Sequence, residues 1–433
     1  MTTKLLASLL IVLAFAVGTF AQIRGGAVWE VAKYDLDVAL PQTFDGREAA
    51  IKATLDVKNI SPSAASTLTL RISPFAKVSA VSVNGAAQDF SGGEEKLVGN
   101  RTLQRVVLRL PSVRASGTVK VEVTYTLTLK DNGDAGVFSP VGSHLLPLSF
   151  WYPTPTNWYY SRGADFAPFT VHVKAQAGMQ VVSSGVEASG GSFETKSASQ
   201  PFFAVGDWEK LQAGGVSVFL PKASGEVGKA RGADLAAVFS EAKAFAEKFL
   251  GPGPSVPLKV VSVRRGAGFA DAGVAFVDEA VFRRPTLDAA TVQNVAEAAA
   301  KLTLSAKARE DGFGVISEGL SRFIANQFIG EKFGQPVGDA VRARQRAAYS
   351  AVVARDVPLG IVSPLDDVFF GEVANKGAMF WALLDRAVGR ATLTKALGDS
   401  LADGTFTLDD VRSNFPTQKD LVSYFIDKPT EMN

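Results

Sequence analysis

Glu297 and Lys301 stand one helical turn apart, and Glu318 follows after a short interruption. Carboxylates so placed can act as general bases, hold a metal ion or pair with cations. A hydrolytic zinc site needs nitrogen or sulfur donors, typically two histidines at i and i+4 on one helix face with a glutamate between them. The residues in those places around Glu297 are Ala296 and Ala300, which have no lone pair to give. The chain has only two histidines, His144 and His172, both far upstream, and no cysteine. Glu297 and Glu318 alone would make a weak oxygen-only site better suited to calcium or magnesium. Glu297 precedes Lys301 in the order that favours a helix-surface pair, and a structural ion pair worth about a few tenths of a kcal/mol is the expectation. A general base tuned by Lys301 would lack an electrophile to act on. Glu318, beside Leu320, Phe323 and Ile324, is expected to be buried and to need Lys301 or Arg322 as a partner.

Asn294-Val295-Ala296-Glu297-Ala298-Ala299-Ala300-Lys301-Leu302, followed by Ile316-Ser317-Glu318-Gly319-Leu320, has the layout of a zinc-peptidase helix pair. Other segments keep the same company: Trp29 to Val38, Trp151-Tyr152-Pro153, Ala164 to Val171, Gln180 to Gly185, Gly266 to Glu279, Val373 to Ala378 and Lys419 to Phe425. Together they resemble the aminopeptidase N (alanyl aminopeptidase) family of gluzincin zinc metallopeptidases. The resemblance implies that Ala296, Ala300 and Glu318 occupy the metal-ligand positions, with a one-residue deletion near Arg309–Gly312 or a shifted register, and that Glu297 is the vestigial base. The glutamate that grips the substrate amine falls at Ala270. The tyrosine that stabilises the tetrahedral intermediate falls at Ala374. The partner glutamate of the N-terminal domain belongs near 151–165, yet residues 135–186 contain no glutamate. Zinc is the family's cofactor, and its ligands are absent here. The family's later domains would follow Asn433, so the resemblance implies an inactive, truncated member.

These residues must be positioned by two kinds of structure. From about 25 to 212 short alternating runs such as Val106 to Leu110 and Val119 to Tyr125 predict β-strands, separated by turns at Asn84-Gly85, Gly92-Gly93 and Asp131 to Asp134. From about 213 the apolar period turns helical: Leu235, Val238, Phe239, Ala242, Phe245, Ala246 and Phe249 share one face, and Gly251 is placed to end that helix. Strands are expected at Leu258–Val263 and Val274–Val277, a motif helix over about 289–308, a helix bearing Glu318 over about 313–333, and one carrying Phe380, Trp381, Leu384 and Val388 that stops at Gly389. The fold class is α+β. An antiparallel β-sandwich or saddle domain (22–212) precedes a mostly helical domain with a small sheet (213–433), which the resemblance makes thermolysin-like. The aromatic cluster Trp151, Tyr152, Trp158, Tyr159 and Tyr160 serves either interdomain packing or ligand contact. Trp158, Tyr160, Ala270 and Asp271 are the candidate substrate-binding residues.

Residues 1–21 read as a secretory signal, with Lys4, an apolar core from Leu5 to Phe20 and a small-residue cleavage site at Ala21. Export to the periplasm or exterior is therefore expected, with no membrane span after cleavage. A formal charge of +2 argues against nucleic acid as the main partner. With no disulfides available, stability must come from a core, which 47% hydrophobic content can supply. The functional expectation is a non-catalytic, exported aminopeptidase-like protein that binds a peptide or protein. The alternative is an active hydrolase with a non-standard site built from Glu297, Glu318 and Asp271 or Asp278.

Overall fold

The computed structural model describes residues 28–43, 47–97, 101–160, 162–305, 312–369, 373–402 and 404–428. The expected signal segment and residues 309–311 lie outside them. The N-terminal region is a β-sandwich. Along Glu48–Asn59, Ile51, Ala53, Leu55 and Val57 point inward while Lys52 faces solvent, the period of two that the sequence carries. This strand lies within an eight-stranded sheet, and a three-stranded sheet packs on the same core. One pair in the large sheet is parallel rather than antiparallel: Trp29–Ala39 with Ala167–Lys174. The two strands are far apart in sequence, so no hairpin dictates their direction.

A separate sheet of five strands begins at Trp208. Its strands Val216–Pro221, Leu258–Val263 and Val274–Asp278 run parallel, with antiparallel partners at both edges. Helix α1 (Gly225–Leu250) covers it with the apolar face read from the sequence, and Gly251 (φ 76°) ends the helix. The remaining α-helices among the described residues are α2 (Ala289–Ser305), α3 (Ser321–Phe333), α4 (Gln335–Ser350), α5 (Ala374–Val388), α6 (Arg390–Ala402), α7 (Leu408–Asn414) and α8 (Lys419–Ile426). Before α3, Phe313–Leu320 forms an eight-residue π-helical run, a wider winding than the single long α-helix expected there. Gly319 of that run meets Gly377 of α5 backbone to backbone. A Cβ at Gly319 would lie 2.8 Å from the Gly377 Cα and 2.8 Å from the Gly314 oxygen.

The two regions are stitched together at several points. Lys259, 5% exposed on strand Leu258–Val263, donates to the carbonyls of Ser183 (2.6 Å) and Gly185 (2.8 Å) and sits 4.6 Å from the Phe193 ring centre. Burial pushes its ammonium down to about 7, while the charge of Glu187 favours the cation. Elsewhere Tyr159 donates to Asp366 at 3.0 Å, and Arg162 donates to the carbonyls of Val362 and Gly360. Among the described residues no helix is long and apolar enough to cross a membrane.

Candidate functional site

Helix α2 turns Ala296 and Ala300 into the core, at 2% and 0% exposure, because they lie on its apolar face with Val292, Val295 and Ala299. Glu297 and Glu318 are both buried, each at 8% exposure. Neither is left uncompensated. Lys301 donates to Glu318 at 2.6 Å, as expected for a buried carboxylate. The pairing of Glu297 with Lys301 is corrected: Glu297 is held instead by Arg322 of α3, whose Nε and second guanidinium nitrogen reach its two oxygens at 2.8 and 3.4 Å. The helix-surface rule fails because neither glutamate is on the surface. Each faces inward and requires its own cation: Lys301 serves Glu318 and Arg322 serves Glu297.

The Arg322 guanidinium also donates to Asn375 Oδ1 at 2.9 Å. Gln345 donates to the Asn375 carbonyl at 2.7 Å, Asn326 to Gln345 at 2.7 Å, and Gln293 to Asn326 at 2.9 Å. These bonds join α2, α3, α4 and α5 into one polar network around Glu297. Sequence reasoning missed Asn326, Gln345 and Asn375. The available signal was Arg322 and Asn326 at i and i+4 on a helix that is otherwise apolar on that side. Ala374, 2% exposed, begins α5 next to Asn375, and its methyl group has no proton to offer.

Ala270 and Asp271 form the short edge strand of the five-stranded sheet, before a tight turn in which Ala272 takes a left-handed φ of 43°. Asp271 keeps part of its surface open. Even so, burial pushes its carboxyl up to about 6, against the nearby positive charge of Lys301 and a hydrogen bond from the Gln200 backbone. Asp278 stands apart, its side chain capping the turn at Ala280. Gln200, itself in the N-terminal region, links Asp271 to a buried carboxylate there: its amide donates to Asp165 at 2.8 Å, and Tyr152 donates to the same oxygen at 3.1 Å. Asp165 is 1% exposed, and burial raises it to about 6.

Of the aromatic candidates, Trp151 and Tyr152 are core residues at 0% and 1% exposure. Asn157 accepts from the backbone N–H groups of Tyr159 and Tyr160, and the tight turn gives Trp158 a φ of 68°. The Trp158 ring packs with Leu103, Phe150 and Leu365, two of these from the N-terminal region and one from beyond α4. Tyr160 is 68% exposed. His144 is buried and donates to the Asp134 carbonyl at 2.9 Å, and His172 lies 3.6 Å from Asp35 on the outer face of the large sheet. The Asp131–Asp134 segment is a turn, tied by Asn132 to Arg47 and Phe138.

The raised carboxyl of Asp165 makes a testable statement about pH. Its folded-state value near 6 lies above the ordinary 3.8, so its contribution is fully present below about 3.8 and is lost as pH rises through 6. The loss is on the order of 2–3 kcal/mol. Denaturant unfolding between pH 4 and 7 should show the wild type weakening as pH rises. Asp165→Asn should flatten that slope by close to one proton and be the more stable protein at pH 7. Parallel curves for the two proteins would contradict this.

Several solved structures share this fold. Yeast LTA4 hydrolase in complex with bestatin aligns over 96% of this chain and 71% of its own length, with a TM-score of 0.71 and 14% identity. A two-domain M1 zinc metallopeptidase mutant bound to L-tryptophan aligns over 95% of this chain and 97% of its own, at TM-score 0.66 and 17% identity. The M1 zinc metallopeptidase from Deinococcus radiodurans gives 95%, 96%, 0.65 and 16%. No family model and no curated protein matches the sequence. The chain thus has the fold of two-domain M1 zinc metallopeptidases, as its motif layout led us to expect. Its residues do not fit the zinc ion of that fold. Among the described residues no three His, Cys, Asp or Glu side chains gather where they could hold a metal, and the two motif glutamates are committed to Lys301 and Arg322.

Proposed function

We propose that this chain, built on the fold of the two-domain M1 zinc metallopeptidases, is an exported, non-catalytic protein whose activity is to bind a peptide or protein. One observation supports the loss of chemistry above the rest. The surroundings of Glu297 and Glu318 are complete without a metal, because two protein cations neutralise the carboxylates and a hydrogen-bonded network satisfies what remains. A hydrolase site keeps a reactive carboxylate free for water. Here each carboxylate is already paired, and the two histidine positions, Ala296 and Ala300, and the substrate-gripping position, Ala270, are alanine. Tyr160, on the exposed side of the interdomain cluster, is the aromatic anchor we assign to the binding surface.

Purified mature protein is expected to carry no stoichiometric zinc and to leave aminoacyl-arylamides intact. Metal analysis giving one zinc per chain, together with chelator-sensitive turnover, would return the protein to the peptidases. The binding reading is tested separately with an immobilised peptide array. Saturable capture of extended peptides, weakened at least tenfold in Tyr160→Ala with an unchanged melting temperature, is expected. Capture that ignores Tyr160 would move the surface elsewhere.

A further inference from the structure

A cavity of about 460 Å³ lies apart from every residue of the former peptidase site. It opens where the carboxyl ends of the parallel strands Val216–Pro221, Leu258–Val263 and Val274–Asp278 come together. In open sheets with parallel strands, ligands sit outside those ends, where the following loops diverge. Here the loops supply Lys222, Arg264, Arg265 and Glu279, and a four-stranded sheet of the N-terminal region (Gly136–Val137, Gly142–Leu145, Gln180–Val182 and Phe203–Gly206) closes the other side through Ser143 and Val205. The volume falls within the range of small-molecule pockets.

The lining divides chemically. Val137, Met179 and Val263 give it an apolar wall, with Trp208 fixed among them by a hydrogen bond from its indole N–H to the Ser262 carbonyl at 2.9 Å. The charged groups are nearly balanced: Lys222 pairs with Asp207, and Arg264 pairs with Glu279 at 2.9 Å. Arg265, exposed on the same rim, has no ion-pair partner among the described residues. An unpaired guanidinium beside an apolar wall suits a carboxylate, which it can grip through two N–H donors, carried on an apolar body.

We propose that this cavity binds a small carboxylate with an apolar body, anchored by Arg265. The site does not depend on the reading of the former peptidase site. Two sources offer that chemistry, the free C-terminus of a peptide and a free aliphatic acid, and the probes separate them. Titration calorimetry on the full chain would use N-acetyl-leucyl-phenylalanine, its C-terminal amide, and octanoate. At least one free acid should bind with a dissociation constant below about 1 mM, and the amide should not. Peptide acid alone would assign a chain terminus, and octanoate alone a free acid. Arg265→Gln should weaken binding at least tenfold, while Arg346→Gln on α4 leaves it unchanged. Val141→Trp, at a half-exposed position on the rim, should block the cavity without disturbing the core. Binding by neither acid, equal binding of the amide, or indifference to both Arg265→Gln and Val141→Trp would overturn the proposal.

Discussion

Gly377→Ala should destabilise the protein by more than about 4 kcal/mol, an unusually large loss for one methyl group. Helix α5 approaches the π-helical run so closely at this point that a Cβ on residue 377 would press into the Gly314 carbonyl oxygen and lie 2.8 Å from the Gly319 Cα. Both obstacles are backbone, so no rotamer change relieves them. The helices would have to separate, which breaks the contact of Trp381 with the run, including its indole hydrogen bond to the Val315 carbonyl at 2.6 Å. Gly398→Ala on α6, where a Cβ meets nothing within 4 Å, is the matched control and should be neutral or slightly stabilising. Denaturant midpoints of the two variants check the difference. Similar midpoints would mean that the helices can move apart without penalty.

Lys301→Met should cost about 3–5 kcal/mol, because it leaves Glu318 buried without its cation. The informative comparison is the double variant Lys301→Met with Glu318→Leu, which removes the charge as well as its partner. That variant should recover most of the loss, since a buried pair replaced by apolar groups of similar size is often neutral or better. Thermal and denaturant unfolding of the single and double variants measures the coupling. A double variant as unstable as the single would mean that Glu318 is held by something other than Lys301. A zinc site would respond to chelators. These carboxylates should respond to mutation and to nothing in the buffer.

Much of the scaffold was legible in the sequence. The apolar stripe from Leu235 to Phe249 gave α1, the run Leu258–Val263 gave its strand, and Gly251 and Gly389 marked helix ends because only they tolerate the backbone angles found there. The burial of Glu318 and its need for a cation could also be read, since a carboxylate among large apolar residues has few other outcomes. The partner of Glu297 could not. Spacing rules rank neighbours along one helix, whereas Arg322 arrives from the next helix, by a route that depends on how the π-helical run sets the start of α3. That run was itself hidden. Nothing in Phe313 to Leu320 distinguishes a wide helix from an α-helix until Gly319 is seen against Gly377, a contact between segments far apart in sequence. Of the polar network, only Asn326 left a trace, at i+4 from Arg322; Gln345 and Asn375 join it from other helices and were hidden for the same reason.

The Lys259 clamp bears on cooperativity. A cation in the helical region has its charge solvated mainly by carbonyls belonging to the β region. If either region were to melt first, the other would be left presenting a naked binding partner: a lysine without acceptors on one side, two orphan carbonyls on the other. Partial unfolding at this seam therefore carries an extra free-energy cost that complete unfolding, which hydrates both partners, avoids. The clamp thus favours joint melting of the two regions over melting of either one alone.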